Sequence, residues 1–309
     1  MNHLKSIFLT SALISSLSFA ANAEINVVAS VKPIHSLVSG VMEGIGRPDL
    51  IVKGAASPHT YSLRPSQAKQ LEDADLVFWM GHELESFLEQ PLEAIATKAH
   101  VVELIDSSKL KKIKMREGGM FDAHAHDDHD EHEGHGEFDV HVWLDPENAK
   151  VLVDEIKLAL IELDPVNASK YEANSNKMNT KLDQLMDEVS NKLKSEQGKG
   201  YVVFHDAYQY FEQRFGMSAV GSITVSPEVV PGANRIRELK EKINELNAHC
   251  VFSEPQFEPK LVSTVIEGTK ANKGVLDPLG ASINDGPELY FTLIRNMADS
   301  LHECLSKKD

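Results

Sequence analysis

Fourteen histidines occur in the 309-residue chain, and six of them fall in one short span, FDAHAHDDHDEHEGHGEFDVHVWLDPEN, from Phe121 to Asn148. Five of the six, His124, His126, His129, His132 and His135, sit among acids and glycines. The sixth, His141, lies in the apolar run FDVHVWL. Imidazole nitrogen suits borderline cations such as zinc. Three such nitrogens, with a water or a carboxylate in fourth place, make a four-coordinate site. The question is which histidines a fold could bring together.

Three histidines share one context. His59 follows DLIVKGAASP, His141 lies in FDVHVWL, and His205 follows GYVVF. Each stands at, or a few residues past, a strand-like apolar segment, and open α/β sheets bind ligands beyond the carboxyl ends of their strands. Convergence there would give a tridentate nitrogen site. Asp277 of VLDPLG also ends a strand and is the carboxylate candidate for the fourth position. Asp139 and Asp206 adjoin two of the histidines and could orient their rings. Taken singly, each histidine is equally at home in a core or a loop, and only the shared placement favours a site. The others lack that placement. His100 and His249 begin strands, His82 opens a helix, His302 is in the last helix, His3 is in a leader, and His35 reads as structural.

The elements that must position these residues alternate. INVVASVKPIHSLVSGVM reads as a strand followed by an amphipathic helix, and DLIVKG, DLVFWMG and HVVELID read as further strands separated by helical segments. GYVVFHD, HCVFSEP and GVLDPLG are strands of a second half. Such alternation indicates an α/β fold with mostly parallel sheets. FDVHVWLDPENAKVLVDEIKLALIELD reads as a strand leading into a helix. From Pro165 to about Gln197 runs a helical pattern of ~33 residues, closed by Gly198 and ~50 Å long. It reads as a strut between two halves, or else as a helix packed flat on one of them. ADLVFWMGHELESFL and AHCVFSEPQFEPKLV echo each other faintly, as two similar domains would.

The tract from about Met115 to Glu137 is too rich in acid, glycine and histidine to bury a core, so a surface loop is expected there. Acids alone would make a solvated loop. Five histidines at spacings of two and three make an auxiliary collector of zinc-like ions. Within it, HAHDDH (His124 to His129) matches the H-x-H-x-D-H zinc signature of metallo-β-lactamase-like hydrolases. That motif must be fixed between a strand and a helix, and here KLKKIKMREGG precedes it instead of a hydrophobic strand. H-E-x-x-H, G-x-S-x-G and a phosphate-binding glycine loop are absent, so an enzyme is not expected.

Composition bounds the setting. Residues 1–23 have a basic start at Lys5, an apolar stretch from Ile7 to Phe19 and an Ala21-Asn22-Ala23 cleavage site, as in an export signal cut after Ala23. The remaining ~286 residues suggest two domains. A net charge of −16 disfavours nucleic acid and anionic membranes and suits a cationic ligand. The two cysteines, Cys250 and Cys304, either pair in an oxidising compartment or stay as separately buried thiols. Paired, they would close a loop of about 55 residues, for ~4 kcal/mol in the chain-entropy model.

GAASPHTYSLRPSQ, FDVHVWLDPENA, YVVFHDAYQYF, CVFSEPQF and LDPLG together resemble the periplasmic zinc-binding receptors of ABC importers, the ZnuA family, from about Ile25 to Leu305. The resemblance implies two α/β lobes joined by a long rigid helix, with the metal in the cleft between them. The corresponding segments would be a leader at 1–23, a lobe at 24–164 with its loop at 115–137, a connecting helix at 165–198 and a lobe at 199–309. It implies the ligand role for His59, His141 and His205, and a disulfide between Cys250 and Cys304. It implies Zn²⁺ as cargo and a monomeric receptor. Its partners would be an inner-membrane permease, a cytoplasmic ATPase and a periplasmic zinc chaperone. Pro58 stands where some zinc receptors carry a glutamate, which leaves Asp277 or water for the fourth position. Manganese receptors of the same fold resemble a His-His-Glu-Asp set with glutamate where His205 stands. A third nitrogen there favours zinc over manganese and other harder divalent ions.

Overall fold

The computed structural model describes residues 25–116, 137–224, 227 and 231–307. The leader expected at 1–23 and the loop histidines His124, His126, His129, His132 and His135 lie outside the described residues.

The first half builds a four-stranded sheet from β1 (Val27–Ala29), β2 (Asp49–Leu50), β3 (Leu76–Trp79) and β4 (His100–Glu103), in the order β2-β1-β3-β4 with every pairing parallel. Apolar residues run continuously through β1 and β3 because both faces of a central parallel strand are covered. The helices of this half are α1 (Lys32–Val41), α2 (Pro65–Asp73), α3 (Ser86–Ala94) and α4 (Pro146–Leu163). Pro33 lies in the first turn of α1, where its missing N–H costs no helical bond. All ten residues of α1 are buried because it packs on β1, on α4 and on the two helices α5 (Ala168–Leu193) and α9 (Leu289–Leu305).

The second half repeats the plan. β5 (Tyr201–Val203), β6 (Ala219–Ser222), β7 (Cys250–Ser253) and β8 (Asn272–Val275) form a parallel sheet in the order β6-β5-β7-β8, with α6 (Gln209–Phe215), α7 (Ala233–Glu245) and α8 (Pro259–Ile266) between strands. The two strand orders are the same, which gives the faint sequence echo a topological counterpart. In each sheet the chain leaves the first central strand toward one edge and returns to the other side of it. This reversal between β1 and β3, and between β5 and β7, opens a crevice beyond the strand ends.

Three elements differ from expectation. FDVHVWL makes no strand: Phe138 forms one antiparallel bridge with Lys114, and Val142–Leu144 is a 3-10 turn. The apolar pattern there reflects complete burial of Val142, Trp143 and Leu144, which a strand and a buried turn share. The long helix is α5, with 26 residues and a length of ~39 Å. Pro165–Asn167 forms a separate 3-10 turn before it, and Lys194 onward is turn. It lies along α1, α4, α6 and α9. The edge strand β6, AVGS, was not anticipated, since its Gly221 and Ser222 carry no β-branched or aromatic signal.

One apolar core runs through both halves from Val27 to Leu305, and a smaller cluster around Val251, Val262 and Ile243 fills the outer side of the second sheet. Among the described residues no helix is long and apolar enough to cross a membrane. Cys250 of β7 and Cys304 of α9 are disulfide-bonded across a separation of 54 residues. Replacing both with serine is expected to lower the unfolding free energy by ~4 kcal/mol in the chain-entropy model. Urea melts check this; a loss under ~1 kcal/mol would mean that packing of α9 already restricts the unfolded chain.

Candidate metal centre

His205 lies two residues past the end of β5, where the chain turns so that the Ala207 amide donates to the His205 carbonyl (3.0 Å). Its Nδ1 is 2.7 Å from Glu254 Oε1, and Glu254 directly follows β7. Because β5 and β7 are neighbours at the crevice, the topology alone brings this histidine and this carboxylate together. Both are buried, at 5% and 3% exposure.

His141 is held in a similar way by another route. Asp139 Oδ1 accepts from the His141 amide (3.0 Å) and lies 2.7 Å from its Nδ1. Asp139 is itself fixed: its amide donates to the Ile113 carbonyl (2.8 Å), and the Tyr210 hydroxyl donates to its carbonyl (2.7 Å). His59 comes from the 3-10 turn Pro58–Thr60 that follows β2. It is half-buried, and among the described residues no hydrogen bond holds its ring.

The three rings face one another. Their centroids are 5.6 Å (His59–His141), 5.9 Å (His59–His205) and 5.2 Å (His141–His205) apart, and one ring nitrogen from each lies within 4.8 Å of the others. The Nε2 atoms of His141 and His205 are 3.4 Å apart. Two nitrogens bound at ~2.05 Å to a tetrahedral ion would stand ~3.3–3.4 Å apart, so this pair already has the spacing zinc requires. The space they enclose with Trp143 and Phe257 is about 10 Å³. That is roughly one water-sized sphere, enough for an ion and too small for an organic substrate.

The electrostatics follow from burial. Burial, then the neighbouring His141 and His205, pulls His59 down to about 2, and burial and His205 pull His141 down to about 3. Both are therefore neutral and ready to ligate. Burial opposes a charge on His205 as well, but Glu254, through its charge and hydrogen bond, and then Asp139 and Asp206 outweigh it and raise the pKa. With both Nδ1 atoms committed to carboxylates, two neutral rings would aim lone pairs at each other across 3.4 Å. A proton on His205 Nε2 relieves this, and a metal ion would replace that proton.

The remaining candidates are placed elsewhere. Asp277 is outside the three-histidine group: its Oδ1 accepts from Gln256 Nε2 (2.9 Å) and the Leu279 and Gly280 amides (3.1 and 2.9 Å), and its Oδ2 from the Ala281 amide (2.6 Å). A short acid at the start of a tight turn caps that turn's own amides. Asp206 orients no imidazole, because its side chain forms a two-point ion pair with Arg116 (2.9 and 2.7 Å). Glu254 orients His205 instead and was missed. The available signal was its position directly after an apolar strand, which matches that of His205.

A family model described as the zinc-uptake complex component A, periplasmic (ZnuA), matches residues 27–304. The chain belongs to this family. A high-affinity zinc uptake system protein ZnuA of Brucella suis is 51% identical, covering 99% of this chain and 100% of its own. A counterpart in Yersinia pestis is 36% identical over 98% of each. In fold, the chain is similar to the periplasmic zinc-binding protein TroA of Treponema pallidum, with a TM-score of 0.79, 20% identity and coverage of 92% and 100%. ZnuA-family proteins are periplasmic zinc-binding receptors of zinc-uptake systems and not enzymes. The hydrolase reading of HAHDDH is therefore set aside. Zn²⁺ is the family's cargo, and the family implies an ABC importer with a permease and an ATPase.

Proposed function

We propose that the chain captures one Zn²⁺ between His59, His141 and His205 and delivers it to the permease of an ABC importer. The observation that carries this reading is the 3.4 Å spacing of the His141 and His205 Nε2 atoms, each on a ring backed by a buried carboxylate, with a third imidazole facing them. An all-nitrogen protein set, with Asp277 occupied in its own turn, supports zinc over manganese. The mature receptor begins after Ala23 and acts as a monomer. It comprises lobes at 24–164 and 199–309 with the segment 165–198 between them, and it accepts zinc from a periplasmic chaperone as well as from solution. The loop histidines gather zinc but do not form the tight site.

Deletion of residues 117–136 tests this assignment. The deletion spares Arg116, whose guanidinium is tied to Asp206 and Glu212. Titration against a competing chelator is expected to retain one tight equivalent of zinc. Loss of tight binding would assign the site to the deleted histidines.

Zinc uptake should also release a proton. Glu254 raises His205 above its ordinary 6.5 against the effect of burial, so the metal-free site keeps its proton to higher pH than a free imidazole would, and zinc must displace it wherever it is held. The affinity is expected to fall about tenfold per pH unit of acidification below the His205 pKa. His59 and His141 add nothing to this slope down to about pH 3, since they are already neutral. Chelator competition across about pH 5.5 to 7.5 measures it; a flat profile would mean that the pair carries no proton.

A further inference from the structure

β7 is followed by the turn Glu254–Phe257, EPQF, and three of its side chains line the histidine cavity. Glu254 holds His205. Phe257 stacks on Phe204 (4.6 Å between centroids, 9° between planes) and packs edge-to-face with the His205 ring at 6.0 Å between centroids. Gln256 has no part in either contact. Its Nε2 donates to Asp277 Oδ1 at 2.9 Å. A carboxylate only accepts, so the amide orientation is fixed by chemistry and Oε1 must be the other terminal atom. That Oε1 is buried and has no partner among the described residues, in a side chain that lines the wall of the ion-sized cavity. A buried acceptor is costly unless a donor meets it, and the one donor a three-histidine zinc site would bring is a bound water.

We propose that Gln256 is the specificity-determining residue of the fourth coordination position. Its nitrogen occupies Asp277, and its oxygen accepts a hydrogen bond from the water that completes the sphere of the bound ion. The inference rests on the three-histidine reading of the site. Its consequence is selectivity. Three nitrogens and a neutral oxygen favour zinc, whereas a carboxylate in fourth place shifts preference toward harder ions such as Mn²⁺. The amide holds Asp277 away and offers nothing anionic in its stead.

The experiment compares wild type, Gln256→Ala, Gln256→Glu and Asp277→Asn, each titrated with Zn²⁺ and with Mn²⁺ against a chelator. The visible absorption of bound Co²⁺ reports the coordination. Gln256→Ala is expected to weaken zinc roughly tenfold, as loss of an outer hydrogen-bond partner does. Gln256→Glu is expected to narrow the Zn²⁺ over Mn²⁺ preference by roughly tenfold or more and to shift the Co²⁺ spectrum. Asp277→Asn, which keeps one oxygen for the Gln256 amide, should cost zinc no more than Gln256→Ala does. The proposal is overturned if both Gln256 variants keep the wild-type affinities and spectrum. It is also overturned if Asp277→Asn loses zinc as severely as a ligand histidine variant, which would place Asp277 on the metal. A wild type that binds no tight zinc, or a His141→Ala variant that binds as wild type, would instead remove the histidine site beneath it.

Discussion

Replacing His141 or His205 with alanine is expected to weaken zinc binding on the order of 10³-fold, and replacing His59 to weaken it less. A protein zinc site is worth ~10–16 kcal/mol, so each of three protein nitrogens carries ~3–5 kcal/mol, which is roughly 10²–10³-fold or more in affinity. The three are not equivalent. His141 and His205 are fixed before the ion arrives, each by a carboxylate at 2.7 Å, and so lose little freedom on binding. His59 is half-buried, has no such partner among the described residues, and must be ordered by the ion itself. Asp139→Ala and Glu254→Ala, which free the two rings without removing a ligand, should each cost about 10–100-fold. Chelator competition on all five variants tests the ranking. Equal losses at His59 and His141 would show that the pair has no advance organisation.

The same asymmetry bears on release. Lys32 at the start of α1 donates to the Ile283 carbonyl (2.7 Å) and pairs with Asp285 (3.2 Å), and Ser36 Oγ donates to the Gly286 carbonyl (2.8 Å). Trp143 Nε1 donates to the Pro278 carbonyl (2.9 Å), and Tyr290 returns a bond to the Trp143 carbonyl (2.6 Å). These ties join the segment after β8 to the first half, over a core shared by both. They oppose a hinge. Among the described residues the segment 53–58 leading to His59 has no comparable ties: Lys53, Gly54 and Ala55 are exposed, and Gly54 adopts a positive φ of 67° with open space around it. Local motion of that segment is the release step we favour, and a faster zinc off-rate in a variant that loosens it, with unchanged overall dimensions, is what it requires.

Much of this arrangement was legible in the residues. Strand-terminal placement singled out His59 and His205 because parallel sheets put strand ends at one edge. His141 was reached through an expected strand that is a buried 3-10 turn instead, so its selection rested on the apolar run and not on a strand end. Asp139 was legible because it lies two residues from its histidine. Glu254 was not: its link to His205 spans 49 residues and depends on β5 and β7 being neighbours, which spacing along the chain does not reveal. Asp206 misled for the converse reason. Adjacency to His205 suggested an orienting role, but successive side chains diverge, and its carboxylate meets Arg116 from 90 residues away. Asp277 resembled a ligand by its strand end, and here its carboxylate accepts from three amides of the turn that follows, a local use that its strand-end position does not reveal.

Arg116 gives the second large effect: Arg116→Met is expected to lower the unfolding free energy by ~3–5 kcal/mol near neutral pH. One guanidinium makes two-point contacts with both Asp206 and Glu212, which are 10% and 5% exposed. Burial pushes Asp206 up to about 6 and Glu212 up to about 7 even with Arg116 opposing it. Burial disfavours the arginine charge as well, but Glu212 and then Asp206 overcome it and hold the guanidinium more firmly protonated than usual. Two buried acids thus share one cation, and removing it leaves both uncompensated. The sign of the pH dependence follows. Both folded pKa values exceed the ordinary 3.8 and 4.5, so between those values and about 7 the folded chain binds protons that the unfolded chain has released. Their contribution is present at low pH and lost as pH rises through the window. Without Arg116 both acids rise further, so the deficit of the variant should be smallest near pH 5 and grow toward about pH 8. Urea melts across that range, with Arg116→Met alone and combined with Asp206→Asn and Glu212→Gln, separate charge from packing. If charge dominates, the neutral triple variant recovers most of the loss and its stability falls less steeply with rising pH than that of the wild type. The remaining slope comes from Glu85 and Asp139, which burial also pushes up to about 7. A deficit that is independent of pH and survives in the triple variant would instead assign the role of Arg116 to the packing of its aliphatic stem.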